Sequence, residues 1–279
     1  YCTALLADWA AQKHPGDYFH SVFFGGGTPS LMHPQYVGQL LATLPINPDA
    51  EITLEVNPGT HEYMDFADTR RSGVNRLSIG AQSFDNKQLR NLGRVHQNDE
   101  IKFAFNKARG AGFENINLDV MWGLPKQTVA EALQDLQCAI ELQPEHISWY
   151  QLTIEAKTEF ARRTPILPVE QITYEIETAG LELLAAHGFR RYEVSAFAQS
   201  GQQCQHNLNY WQFGDYLGLG AGAHGKRSPA DWSNKAERPM RVSKASQPRL
   251  YLADPSASTE QRIEPDAVAL EFMMNALRL

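Results

Sequence analysis

Three cysteines, Cys2, Cys138 and Cys204, are too few, too scattered and of the wrong parity for a disulfide framework, and they suit a reducing compartment. No apolar run approaches the roughly 20 residues a membrane span requires, so no transmembrane helix is expected. Basic residues are outnumbered, and the net charge of −7 argues against broad nucleic-acid binding and offers nothing to an anionic membrane surface. A signal peptide, an internal repeat and a low-complexity tract are all lacking, and a cytoplasmic location is the expectation. The chain also lacks an initiating methionine, opening on Tyr1-Cys2, and its last helical stretch has no C-cap; it reads as a piece of a longer protein. What remains is ordinary globular composition, 43% hydrophobic and 20% charged over 279 residues, enough for one barrel-sized domain or one large domain with an appendage.

The stretch that organises the rest is Ser21–Ser30, SVFFGGGTPS. An apolar β-type run enters three glycines, where the missing Cβ atoms let backbone approach a ligand closely. Backbone N–H groups there can hold an anion and backbone carbonyls an ammonium. It is neither a phosphate-binding P-loop, since no Gly-Lys-Ser/Thr follows, nor the spaced GxGxxG of dinucleotide sites. The bland alternative is a tight strand-to-helix turn.

Along the chain, helical patterns fall on residues 3–12, 34–44, 62–72, 85–92, 99–109, 128–142, 170–187 and 266–279, and β-type runs on 21–24, 51–56, 75–79, 114–120, 146–152 and 191–196. Thr128 with Glu131 three residues on forms a capping-box signature. Strands alternating with helices predict a parallel α/β fold. After Gly225 the texture becomes polar and weakly periodic, from Arg227 to Ser258.

Polar groups gather at the C-terminal tips of these strands. The glycine loop follows the first, Glu55 closes the second, Gln82 follows the third, Asp119 closes the fourth, and Tyr150 and Gln151 end the fifth. In parallel barrels that rim carries the ligand site. Singly, each residue has a duller reading: Glu55 as a helix cap, Gln82 as a turn residue, Arg94 as a surface ion-pair partner. A second cluster, CQHNLNYW at residues 204–211, sets a histidine beside two aromatics, which suits haem iron and a flat ring or, equally, a buried packing patch. The CxH spacing of Cys204 and His206 is weak evidence for zinc. His146 reads as structural, Cys138 as packing, and His224 as another candidate for the rim.

Taken together, GGGTPS (25–30), EVNPGT (55–60), RLSIGAQSF (76–84), LGRVH (92–96) and NLDVMWGLP (117–125) resemble the radical S-adenosylmethionine proteins related to oxygen-independent coproporphyrinogen III oxidase. HNLNYW at 206–211 resembles the HNxxYW signature of the HemW branch, described as haem chaperones rather than oxidases. The resemblance implies a partial (β/α)6 barrel over residues 1–226, with 227–279 beginning a C-terminal domain. It implies a [4Fe–4S] cluster on a CxxxCxxC loop, with S-adenosylmethionine on the fourth iron. By position, Gly25, Gly26, Gly27, Thr28, Glu55, Gln82, Arg94 and Asp119 would hold the adenosylmethionine, and His206, Asn207, Tyr210 and Trp211 the haem.

Cys2 is the sole residue standing where the three-cysteine loop belongs, so this chain is expected not to hold the cluster alone, with residues missing next to Cys2 and near Lys226-Arg227. The implied role is delivery of haem to respiratory haem proteins, with room for a homodimer. The alternative is a coproporphyrinogen III oxidase that decarboxylates propionates through an adenosyl radical. A metal-free barrel hydrolase or aldolase would instead need a base such as Glu55 or His224.

Overall fold

A computed structural model describes residues 1–60, 65–229 and 237–279, so the predicted helical residues 62–64 and part of the 227–258 stretch lie outside the described residues. In chain order the elements are α1 (Cys2–Gln12), β1 (Phe19–Phe24), α2 (Pro34–Leu41), β2 (Ile46–Val56), α3 (Phe66–Arg71), β3 (Arg76–Gln82), α4 (Asn86–Asn91) and α5 (Asn98–Gly110). They continue as β4 (Ile116–Trp122), α6 (Val129–Glu141), β5 (His146–Gln151), α7 (Glu159–Arg162), α8 (Glu170–Ala186), β6 (Arg190–Glu193) and β7 (Ala196–Ala198). The remainder is α9 (Gln205–Trp211), β8 (His224–Arg227), β9 (Met240–Ser243), α10 (Pro248–Ala253), β10 (Thr259–Arg262) and α11 (Pro265–Ala276).

Seven strands form a curled half-barrel sheet in the order β1-β2-β3-β4-β5-β7-β6, and the expected α/β partial barrel is borne out. From β2 to β5 the pairing is parallel, with Leu77 opposite Ile116 and Leu118 opposite Ile147. These strands are covered on both sides, which is why they read as near-continuous apolar runs. On the outer side α6 packs against α8. The α6 start follows its signature: Thr128 Oγ1 accepts the Glu131 N–H at 3.3 Å, and Glu131 accepts the Thr128 N–H at 2.8 Å.

Three features depart from expectation. The sixth strand, read as one run over 191–196, is a hairpin of β6 and β7, and β7 runs antiparallel to β5. Glu193 folds back to accept the Ser195 N–H at 3.2 Å, which breaks the run at its centre. The polar stretch after Gly225 contains β9 and is followed directly by β10, and the two join β8 in a three-stranded antiparallel sheet that weak periodicity concealed. Strand β2 also starts five residues before Glu51, because Pro48 and Asp49, turn signals in sequence, sit on its exposed first half.

The chain forms two compact units: Tyr1–Val22 with Gln35–Ala50 and Gln205–Leu279, and Phe23–Pro34 with Glu51–Cys204. In the second, apolar residues of β3, β4 and β5 (Leu77, Ile79, Ile116, Leu118, Val120, Ile147) make the buried core. Gly180 on α8 is needed there for close approach, since a Cβ would lie 2.0 Å from the Trp149 ring. In the first unit, helix α1 is fastened by Asp8, fully buried, to Lys244 of the segment after β9 at 2.7 Å.

Candidate functional site

All eight residues expected at the strand tips belong to the second unit, and several are in direct contact. Gly26, at φ +110°, takes a conformation that glycine reaches without a Cβ penalty, and its N–H donates to Glu55 Oε2 at 3.2 Å. Gly25 sits so close to the Glu55 carboxylate that an added Cβ would lie 3.2 Å from Oε1 and 2.9 Å from the Phe23 ring. Gly27 faces open space, and Thr28 precedes a short 3-10 turn over Pro29–Leu31. The triglycine is thus a cradle bent around the acid that ends β2.

Gln82 ends β3 with φ +65°, at a register shift between β3 and β4, and its Oε1 accepts the Tyr150 O–H at 2.7 Å. The bulge re-aims this side chain, a device common beside binding sites. Asp119 accepts Asn117 Nδ2 at 2.8 Å and Ser78 Oγ at 3.0 Å. Burial pushes the Asp119 carboxyl up, against hydrogen bonds from Asn117, Ser78 and Ser148 that pull it down. Burial also raises Glu55, with the Asp119 charge adding to it. The Tyr150 hydroxyl is pushed well up, chiefly by burial, then by Asp119; Arg94 draws it down, and Glu55 raises it. Glu55, Gln82, Arg94 and Asp119 therefore lie within electrostatic or hydrogen-bonding reach of one phenol, that of Tyr150.

Of the residues that support these groups, the sequence singles out His146 alone, as structural. Ser78, Asn117, His146 and Ser148 form a polar ladder on the same strands, with Glu55 opposite Ser78, Ser78 opposite Asn117, and Asn117 opposite His146. The signal was a polar residue at every second position inside apolar strands: Thr53 and Glu55, Arg76 and Ser78, Asn117 and Asp119, His146 and Ser148. Period 2 places each pair on one face of its strand.

The HNLNYW residues lie on α9 in the first unit. One helical turn apart, the His206 and Tyr210 rings meet edge-on at 4.9 Å, and Tyr210 also contacts Tyr216 at 4.6 Å. The Arg278 guanidinium lies over the Trp211 ring at 4.3 Å, while Trp211 Nε1 is buried with no hydrogen-bond partner among the described residues. Asn207 shares this helix, half-buried. His224 is exposed at the start of β8, and His146 is wholly buried.

Cys2 is half-buried on α1 and directs its thiol toward the Tyr36 carbonyl at 3.9 Å. Cys138 lies on α6 and Cys204 is buried. Among the described residues no group of three or more His, Cys, Asp or Glu side chains is placed to hold a metal ion. The residues present therefore do not supply the three thiolates of a [4Fe–4S] cluster.

The Radical SAM superfamily profile matches residues 5–139. Heme chaperone HemW of Escherichia coli (strain K12) is 48% identical over 263 residues, which cover 93% of this chain and 68% of that protein. Heme chaperone HemW of Haemophilus influenzae is 46% identical over the same shares of each. Among solved structures, coproporphyrinogen III oxidase (HemN) from Escherichia coli superposes with a TM-score of 0.80 at 22% identity, covering 100% of this chain and 68% of that one. That likeness bears on the fold alone.

Proposed function

This chain belongs to the HemW heme-chaperone family within the radical SAM superfamily, and from that premise we propose that it binds haem and hands it to respiratory haem proteins in the cytoplasm. The observation that carries this reading is the 48% identity to a heme chaperone over 93% of the chain, with the HNLNYW helix included in sequence. In this reading residues 1–226 bear the barrel and 227–279 begin an appended domain.

His206 would ligate the haem iron, with its ring oriented by the edge-on contact to Tyr210. Tyr210 and Trp211 cover the macrocycle, and Asn207 lines the same helix. Gly25, Gly26, Gly27 and Thr28 receive the methionyl end of S-adenosylmethionine. Glu55, Gln82, Arg94 and Asp119 receive its ribose and charged groups, supported by their mutual reach around Tyr150. Adenosylmethionine held there would supply radical chemistry only together with a cluster, and the part of the residues named here is to bind and orient it. Cys2 alone is assigned to the cluster.

Titrating the protein with haem tests the reading. His206→Ala is expected to weaken haem binding by at least about tenfold and to shift the Soret band, by analogy with losses seen on disturbing metal-ligand surroundings. Unchanged affinity defeats the ligand assignment. The oxidase alternative has no support beyond the shared fold, and incubation with coproporphyrinogen III is expected to yield no protoporphyrinogen.

A further inference from the structure

The polar ladder inside the sheet continues past the rim, and each hydrogen along it can be placed. An ionised Asp119 only accepts, so Asn117 turns its Nδ2 toward Asp119 (2.8 Å) and Ser78 (2.8 Å), leaving Oδ1 to face His146 Nδ1 at 2.6 Å. A carbonyl oxygen at that distance requires the proton on Nδ1 of His146. Nε2 is then the acceptor, and the Tyr192 O–H donates to it at 2.8 Å. The Tyr192 oxygen in turn accepts the backbone N–H of Cys204 at 3.2 Å.

Every donor in this row points the same way, toward Asp119, the arrangement in which successive hydrogen bonds polarise one another. The middle of the row is buried, with Asn117 and His146 2% and 0% exposed and Cys204 at 1%, while Asp119 and Tyr192 at either side are half-buried. A second arm holds Cys204 as well. Its thiol donates to Glu51 Oε1 at 3.2 Å, and Glu51 Oε2 faces the buried Arg76 guanidinium at 3.8 Å. Cys204 is the last residue of the second unit, and the next residue, Gln205, opens α9.

We infer that Asn117, His146 and Tyr192 are positioning residues that link the carboxylate of Asp119 to the backbone at Cys204, so that the state of Asp119 sets how firmly the chain entering α9 is held. On the proposed function above, which this inference rests on for its ligands, the same link ties occupation of the adenosylmethionine residues to haem affinity. The coupling needs no contact beyond this row of hydrogen bonds and the covalent step from 204 to 205.

The experiment uses the full chain labelled with 15N-histidine, together with amide hydrogen exchange. His146 is expected in the Nδ1–H form. Asp119→Asn, which removes the charge at the head of the row and keeps its shape, is expected to move the His146 Nε2 resonance and to speed exchange at Cys204 by at least about fivefold. Tyr192→Phe is expected to speed exchange at Cys204 alike, and the double variant to go no further than the larger single effect. An Nε2–H form of His146, or exchange at Cys204 unaltered in a folded Asp119→Asn protein, overturns the inference. Haem titrations of the same variants beside His206→Ala separate the two claims. Loss of affinity in His206→Ala with none in Asp119→Asn or Tyr192→Phe defeats the link to haem alone. No loss in His206→Ala removes the haem reading and the link together.

Discussion

Each unit buries a carboxylate on a polar network, but the two are built on opposite terms. Asp8, in the first unit, meets a full counter-charge: Lys244 Nζ lies 2.7 Å from Oδ1, which also takes Gln12 Nε2 at 2.7 Å. Oδ2 accepts the Tyr251 O–H at 3.0 Å and the Gly220 N–H at 3.1 Å. Burial and the Asp8 carboxylate both push the Tyr251 hydroxyl up, which keeps it a donor. Asp119, Glu55 and Asp135, in the second unit, make no ion pair among the described residues and are satisfied by neutral donors, and burial raises all three. The lesson is that burial alone does not mark a working carboxylate. A buried acid neutralised by a lysine fastens a fold, whereas buried acids left on neutral donors keep the freedom to take a proton or a ligand.

The largest expected effect breaks the first network. Lys244→Ala leaves the Asp8 charge buried with hydrogen bonds and no cation, which costs about 3–5 kcal/mol. Guanidinium unfolding followed by tryptophan fluorescence measures it. A loss under about 1 kcal/mol would mean Asp8 belongs with the rim acids and the contrast between the units fails.

The next prediction tests the second network through Asp135 of α6. It accepts the Ser83 O–H at 2.7 Å and the Phe84 N–H at 2.6 Å, so it braces the turn just after Gln82. Burial raises it to about 6, against these hydrogen bonds. Because the folded protein holds this proton more tightly than the unfolded chain, the contribution is complete below about pH 4 and is lost as pH rises to about 6. The two-unit displacement is worth about 3 kcal/mol. Unfolding free energies measured from pH 4 to pH 7 are expected to fall across that window by less in Asp135→Asn than in the native chain; equal slopes would exclude Asp135 as the group responsible.

How much of this was legible beforehand follows the same division. Apolar runs ending in glycine or acid gave away β1 to β5 and the polar positions Glu55, Gln82 and Asp119, because a parallel barrel puts hydrophobic length and polar ends in the same order along the chain, although β4 runs on past Asp119 to Trp122. Asn117 escaped notice, and His146 was read only as structural, because a lone polar residue inside an apolar strand resembles noise until four strands are set in register. Asp8 with Lys244 was invisible: the partners are 236 positions apart, and α1 reads as a helix whether or not its acid is paired. The β6–β7 hairpin was missed because Glu193, a residue with nothing turn-like in its type, makes the bend by capping Ser195.

The smallest expected effect sharpens the contrast most, since it applies one chemical change to both units. Asp8→Asn deletes the charge facing Lys244 and leaves a buried cation, so it is expected to cost about 3 kcal/mol. Glu55→Gln keeps an oxygen for the Gly26 N–H and removes a charge that burial and Asp119 both oppose. Stability at pH 7 is therefore expected to stay within about 0.5 kcal/mol of the native value, on the side of a gain. With its neighbour neutral, Asp119 should also titrate closer to the ordinary carboxylate range, which carbonyl-labelled NMR of the aspartates reads directly. A Glu55→Gln variant that loses as much stability as Asp8→Asn would make Glu55 a fastening of the fold, and the glycine cradle would owe its shape to packing instead of to a ligand.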